Sequence, residues 1–242
     1  MVSAQPVAAS TLTAPRCFAL VPCAGVGARV GTALPKQYVP IAGRAMVAHT
    51  LAALAGVSRL VETLVVLAPD DDYFESAAPG FVGSHGRVAR CGGATRAETV
   101  TNGLAVLAEH GARPDDWVLV HDAARCLVRP VWVDRLIDAC RDDAVGGLLA
   151  LPLADTLKQG RHQHVTATLP RDDKWAAQTP QMFRLGLLRE ALAKAGPAVT
   201  DEASAVEALG RAPLLVRGEL ENFKLTHPGD FELARRLLGT LA

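Results

Sequence analysis

The feature that most constrains this chain is an alternation. Short apolar runs, several rich in β-branched residues, are separated by stretches of helical character. Cys17–Val21 is an apolar run stopped by Pro22, and Thr63–Ala68 ends in Pro-Asp; Val88–Cys91, Trp117–His121 and Gly146–Leu151 follow. Between them Met46–Ala55, Thr95–His110 and Val131–Asp142 read as helices, with Thr95 as N-cap and Glu98 three residues on in a capping-box pattern. Apolar strands spaced by helices bury both faces of a sheet. The expectation is an α/β fold, a mostly parallel sheet flanked by helices. The 242 residues suffice for one large domain. We expect it to span 16–242, behind a flexible N-terminus at 1–15.

The alternation breaks between Leu153 and Pro170, which is polar and lacks a helical period. This stretch reads as a projecting β-hairpin arm, about 153–172, with strands Asp155–Gln159 and His164–Leu169. A lone two-stranded ribbon is marginal in water, so the arm is expected to pack on a second subunit and give a homodimer. His162 and His164 are expected to be exposed arm residues, without a third ligand to make a metal site. Beyond the arm the sequence predicts a strand at Trp175–Gln178, helices at Arg184–Ala195 and Asp201–Leu209, a strand at Leu214–Arg217 and a short strand at Asn222–Thr226. A last helix starts at Pro228, where a first-turn proline belongs. Leu187–Leu192 is expected to be core.

Charge and cysteine usage narrow the function classes. Lys plus Arg and Asp plus Glu both number 25, so the whole chain has no bias toward nucleic acid or a membrane surface. No apolar run is long enough to span a bilayer. Five cysteines without a CxxC pair argue against a disulfide framework or structural zinc and for a reducing, cytoplasmic setting. The first fifteen residues lack the early positive cluster and apolar core of a signal peptide. Locally the balance tips. Met1 to Val61 contains no Asp or Glu but holds Arg16, Arg29, Lys36, Arg44 and Arg59, which suits an anionic ligand.

That segment contains the loop Pro22–Lys36, which leaves the first strand at the sheet edge where ligands bind in such folds. Gly25, Gly27 and Gly31 allow close backbone approach, and Arg29 and Lys36 add cations. The dinucleotide fingerprint GxGxxG fails at Val30, and the acidic residue expected about twenty positions later is missing. The Walker pattern fails for want of Gly-Lys-Ser/Thr. Two readings remain: a glycine loop with Arg and Lys arms around a triphosphate, or a glycine-rich strand-to-helix connection with surface charges.

Pro22–Arg29 with Pro35-Lys36-Gln37-Tyr38 resembles the signature of the sugar-phosphate nucleotidyltransferases. Six further segments follow in order: Gly92–Arg96, Val120–Arg125, Leu153–Lys158, Gln178–Phe183, Thr200–Ser204 and Asn222–Thr226. Together they resemble the 2-C-methyl-D-erythritol 4-phosphate cytidylyltransferase family over Phe18 to Leu237. The resemblance implies a Rossmann-like fold and transfer of CMP from CTP to a polyol phosphate with release of pyrophosphate, aided by Mg²⁺ or another divalent cation. Cys23, Ala94 and Cys126 depart from the family pattern, where alanine, an acidic residue and proline are usual.

What the resemblance implies for single residues is as follows. Arg29 and Lys36 stabilise the transition state. Pro22, Cys23, Ala24, Gly25 and Gly27 line the nucleotide with Asp122 and Ala123, and Gly93 and Thr99 read the cytosine. Asp122 helps hold the metal. Arg171 and Lys224 position the acceptor, with Arg125, Thr156, Thr179, Thr200, Asp201 and Thr226 around it; Thr156 and Arg171 act across a dimer interface. The chemistry asks for positioning and charge rather than a general base, because a phosphate monoester with its second pKa near ~6 is already ionised. Two alternatives stand beside this one: a ribitol-5-phosphate cytidylyltransferase, and a non-catalytic nucleotide sensor, which the presence of Arg29, Lys36 and Lys224 disfavours.

Overall fold

The computed structural model describes residues 14–25, 34–83, 85–195 and 199–240. In chain order the elements are β1 (Cys17–Pro22), a 3₁₀ turn (Lys36–Tyr38), a small hairpin of β2 (Pro40–Ile41) and β3 (Arg44–Ala45), α1 (Met46–Ala55), β4 (Leu60–Val66), α2 (Phe74–Ala77), β5 (Gly86–Ala89), α3 (Arg96–Glu109), β6 (Trp117–Val120), α4 (Pro130–Cys140) and β7 (Gly146–Pro152). The arm strands β8 (Leu157–Arg161) and β9 (His164–Leu169) come next, then β10 (Trp175–Arg184), α5 (Leu185–Lys194), α6 (Glu202–Glu207), β11 (Leu214–Arg217) and α7 (Pro228–Gly239).

Seven strands form one sheet in the order β11-β7-β10-β6-β1-β4-β5. All neighbours run parallel except β10, which is antiparallel to both β6 and β7. The chain leaves β1 toward β4 and β5 on one side and places β6 on the other. The order therefore reverses between β1 and β6, and in such folds ligands bind beyond the carboxyl ends of the strands at that point.

Alternation along each strand divides the core into two layers. Ala19, Val21, Val65 and Leu119 pack with α1 and α4 through Val47, Leu51, Trp132, Val133 and Leu136. Phe18, Leu20, Leu64, Val66, Val118 and Val120 pack with α3, α5 and α6 through Val100, Leu104, Leu188 and Val206. The expectation that Leu187–Leu192 is core holds for its apolar positions, with Leu188 and Ala191 buried and Leu187 and Leu192 packed against the same cluster, while Arg189 and Glu190 are exposed. A third cluster seats α7 on the β2–β3 hairpin through Ile41, Phe231 and Ala234. Gly103 lets α3 lie close to the sheet, since a Cβ there would sit 2.7 Å from Val66 and 2.8 Å from Leu20.

Several elements differ from the sequence expectation. The first arm strand lies two residues later than read, at Leu157–Arg161, because the two-residue turn is His162-Gln163, with φ of 49° and 65°. Both central residues at positive φ make the twist-matched hairpin turn, usually signalled by glycine or asparagine. β10 continues to Arg184 instead of stopping at Gln178. Pro180 interrupts its ladder with β7, and the register shifts between Ala177 and Gln181 to accommodate it. Asn222–Thr226 is not a strand. Its one backbone bond to the neighbouring loop runs from Leu225 N–H to Ala124 O, and side chains hold the rest. The expected frayed N-terminus lies largely outside the described residues.

Candidate active site

The carboxyl ends of β1, β5 and β6 bring the conspicuous motifs together. Past β1, Cys23 N–H donates to Val66 O at 2.8 Å and Cys23 O accepts from Gln37 Nε2 at 3.1 Å, so the loop's far end is tied to its beginning. Tyr38 anchors that tie from the other side, donating to Asp71 Oδ2 at 2.6 Å, while Asp71 Oδ1 caps the start of α2. Burial, then the Asp71 carboxylate, pushes the Cys23 thiol up to about 12, so cysteine in place of alanine is an inert filler. Lys36 extends from the same turn and donates to Leu225 O at 2.6 Å. Arg29 and Gly27 lie outside the described residues.

Past β5 the chain turns through Gly92 and Gly93 into α3. Gly92 is obligatory, because a Cβ there would lie 2.3 Å from the Ala24 Cβ and 2.7 Å from Leu67 O. This contact holds the two glycine turns together. Thr95 caps α3, accepting from Glu98 N–H at 3.1 Å, but the Glu98 carboxylate accepts from Ala94 N–H rather than closing the box on Thr95. Thr99 is buried; its hydroxyl accepts from Gly93 N–H at 3.1 Å and donates to Thr95 O at 2.9 Å. The hydroxyl expected to read a base is therefore also the brace of the Gly93 turn.

Past β6, His121 to Arg125 fold against the Asn222–Thr226 segment. His121 is fully buried. A carbonyl only accepts, so His121 Nε2 carries the proton and donates to Arg125 O at 3.2 Å. Its Nδ1 then accepts from the Thr179 hydroxyl at 3.0 Å, and Thr179 Oγ1 accepts from Asp122 N–H at 3.0 Å. Burial lowers the His121 pKa to about 4, which keeps the ring neutral and its tautomer fixed. Thr50 secures the Ala123 carbonyl, and Arg125 reaches the carbonyls of Asn222 and Ala177.

Asp122 is the centre of an alternating chain of charges. Lys224 Nζ lies 2.7 Å from its Oδ2 and Arg96 Nε 2.9 Å from its Oδ1. Arg96 then forks onto Glu202, with Nη1–Oε1 at 2.7 Å and Nη2–Oε2 at 2.9 Å. Burial opposes the charge on Asp122, but Arg96, Lys224 and Arg125 outweigh it and hold the carboxyl well below the usual range. Burial also disfavours the Arg96 charge, and Glu202 and Asp122 more than restore it. The Glu202 carboxyl is pushed up by burial while Arg96 pulls it down.

The chain Lys224–Asp122–Arg96–Glu202, the turn Gly92–Gly93 and the start of the Pro22–Lys36 loop thus meet at the carboxyl ends of β1, β5 and β6. A family model described as IspD, 2-C-methyl-D-erythritol 4-phosphate cytidylyltransferase, matches residues 17–240. The chain belongs to this family. A cytidylyltransferase of that name from Paraburkholderia phymatum is 54% identical over 230 residues, covering 93% of this chain and 97% of the relative. The bifunctional enzyme IspD/IspF of Albidiferax ferrireducens is 59% identical over 94% of this chain, which spans only 54% of that relative's length. A crystal structure of a 4-diphosphocytidyl-2C-methyl-D-erythritol synthase superposes with a TM-score of 0.83 at 43% identity, covering 93% of this chain and 99% of its own. The cytidylyltransferase of Thermus thermophilus superposes at 0.75 with 35% identity, covering 92% of this chain and 98% of its own.

Of the residues expected from the family pattern, Pro22–Gly25, Lys36, Gly93, Thr99, Asp122, Ala123, Arg125, Thr179, Asp201 and Lys224 lie on the segments that these contacts link. Lys224 sits on an irregular segment, not on the edge strand expected. Asp201 caps α6 through Oδ1 and accepts from Gln181 through Oδ2; exposed Thr200 precedes it. Thr226 donates its hydroxyl to Lys224 O. Thr156 and Arg171 stay on the exposed arm, where Arg171 donates to Ala154 O.

Arg96 and Glu202 carry half of the charge chain and were not singled out from sequence, although both lie inside quoted motifs, Gly92–Arg96 and Thr200–Ser204. Among the described residues no three His, Cys, Asp or Glu gather to hold a metal ion, and both Asp122 oxygens face cations. These donors do not fit a resident metal. A divalent ion held mainly by substrate phosphates needs only one or two protein carboxylates.

Proposed function

We propose that this chain transfers the cytidylyl group of CTP to 2-C-methyl-D-erythritol 4-phosphate, forming 4-diphosphocytidyl-2-C-methyl-D-erythritol and pyrophosphate. The observation that carries the reading is the family match over residues 17–240 on a fold that brings Lys36, Arg96 and Lys224 to the strand ends beside the reversal of strand order.

The acceptor phosphate supplies its own ionised nucleophile, so catalysis rests on bringing anions together and stabilising charge on the phosphorus in transit. His121 is neutral, buried and fully bonded, and takes no part as a base. Lys36, fixed on Leu225 O, and Arg29 stabilise the α-phosphorus. Pro22, Cys23, Ala24, Gly25 and Gly27 line the nucleotide, with Asp122 and Ala123 beside it. Gly93 reads the cytosine with Thr99, which holds the Gly93 turn in shape. Lys224 leaves Asp122 for the acceptor phosphate, together with Arg125 and, from the arm of a second subunit, Arg171 and Thr156. Thr200, Asp201 and Thr226 face the polyol, and Thr179 acts by fixing the Asp122 backbone. Asp122 would be the protein carboxylate to meet a Mg²⁺ that CTP carries on its phosphates, and such an ion would offset part of their negative charge.

A homodimer through the arm is supported by Val165 and Leu169, apolar and exposed on a ribbon that pairs with no strand of the central sheet. Five free cysteines, four of them buried, suit a reducing, cytoplasmic setting.

The test is pyrophosphate release by the purified chain with Mg²⁺ and CTP. The expected outcome is turnover with 2-C-methyl-D-erythritol 4-phosphate and much less with ribitol 5-phosphate. Equal rates with both acceptors, or none with either, overturn the assignment.

A further inference from the structure

Arg96 is enclosed by two acids on two different elements. Its terminal nitrogens are both spent on Glu202, whose side chain is 1% exposed, and only Nε remains for Asp122, 10% exposed. A buried ion pair is weak grounds for stability, because desolvation cancels most of the attraction and an apolar pair of equal volume holds two helices as well. What an apolar pair does not do is fix the rotation of a carboxylate. The guanidinium is planar, so Glu202, by gripping the fork, sets the direction of Nε and hence the orientation of Asp122. The second oxygen of Asp122 is then presented to Lys224 at 2.7 Å.

The three elements meeting at Arg96 each lead to a different part of the site. Arg96 begins α3, directly after the Gly92–Thr95 turn. Asp122 follows β6, and its backbone N–H is held by Thr179. Glu202 begins α6, next to its N-cap Asp201. We propose that Arg96, clamped by Glu202, is a positioning residue that locks the nucleotide-side turn, the Asp122 carboxylate and the acceptor-side cap of α6 into one unit. This rests on the cytidylyltransferase reading. Without the clamp, Asp122 is free to turn both oxygens toward Lys224 and withhold that ammonium from the acceptor phosphate, and the Gly92–Thr95 turn loses its fixed distance from Asp122. A lysine at position 96 does not replace the clamp, since a single ammonium does not reproduce the fork on Glu202 together with a separate bond to Asp122.

The test compares wild type with Arg96→Lys, Arg96→Gln, Glu202→Gln and the double variant Arg96→Gln/Glu202→Gln. Steady-state kcat and KM for both substrates and the calorimetric Kd for CTP alone are measured, normalised to folded protein by circular dichroism. Each single change is expected to lower kcat at least about 10-fold and raise the acceptor KM and CTP Kd, with no rescue in Arg96→Lys. The double variant is expected to fall within about 2-fold of the worse single one, as partners in one unit do. Values within about 2-fold of wild type for all single variants, or losses that multiply in the double variant, overturn the proposal. If Arg96 variants do not fold, Glu202→Gln, which keeps side-chain volume, decides it alone by the same thresholds. The CTP Kd also separates this idea from the functional one. Wild type that binds CTP but turns over neither acceptor overturns the assigned reaction. A CTP Kd unchanged in every folded variant overturns the clamp.

Discussion

At the scale of single residues, the site separates groups that hold charge from groups that aim it. Lys36 is aimed by two contacts outside itself, the Leu225 carbonyl at its tip and Gln37 on the Cys23 carbonyl beside it. Removing its ammonium leaves that scaffold intact. Lys36→Ala is therefore expected to lower kcat by roughly 10²–10³, the scale for one preorganised charge contact in a transition state, with melting temperature little changed. Single-turnover kinetics at saturating CTP checks this, and a wild-type rate removes Lys36 from the transition state. Lys224 is paired with Asp122 in the free protein, so Lys224→Ala is expected to show itself chiefly as a higher KM for the acceptor phosphate. Lys36, Lys224 and Asp122 stood out in sequence because the family pattern gives each a role of its own at a motif position. Arg96 and Glu202 were not, because the value of a buried pair depends on which helix start faces which, and spacing along the chain carries no trace of a separation of 106 residues.

At the scale of elements, the sequence was clearest where local chemistry decides alone. α1 and β11 match their expected bounds, and Thr95 caps α3 as its position before an amphipathic run required. It was least clear where tertiary contacts overrule local preference. β10 carries Pro180 in mid-sheet, which argues against a central strand until the register shift beside it is known. The Asn222–Thr226 segment has strand-like residues but no strand partner; Asn222 donates to Gln178 and Thr179, and side-chain bonds hold the segment in place. The Gly92 turn offers a sharp test of element packing. Gly92→Ala places a methyl against the Ala24 Cβ and the Leu67 carbonyl, both rigid, and is expected to cost about 1–3 kcal/mol. It is also expected to raise the KM for CTP. Gly25→Ala meets nothing within 4 Å and is expected to leave stability unchanged, so urea unfolding of the two variants side by side isolates the packing effect. On the arm, Val165→Asp with Leu169→Asp is expected to shift sedimentation from dimer to monomer and to lower turnover. A dimer that survives both changes places the interface elsewhere.

At the scale of the whole molecule, the placement of the site follows from topology: the chain winds outward in two directions from β1 and β6, and Lys36, Arg96, Asp122 and Lys224 collect where those directions part. The same burial that fixes His121 as the hub between Thr179 and Arg125 gives the fold a dependence on acidity. Its pKa is about 4 in the folded chain and about 6.5 when exposed by unfolding. Between those values the unfolded chain binds a proton that the folded chain refuses. The contribution is therefore fully present above pH ~6.5 and is lost as pH falls toward ~4, by about 3 kcal/mol across the window. Asp122, whose folded pKa is lowered, withdraws its own stabilisation only on further acidification, through and below the ordinary carboxylate range. The two losses fall in different windows and act in the same direction. Urea unfolding at pH 7, 5.5 and 4.5 is expected to show stability declining through the first window in wild type and a flatter profile in His121→Gln. Nitrogen-15 shifts of the imidazole are expected to report a neutral ring at pH 5.5. A protonated His121 at that pH, or equal slopes in the two proteins, removes the buried relay as the source of the acid sensitivity and with it the assignment of a fixed neutral tautomer behind Asp122.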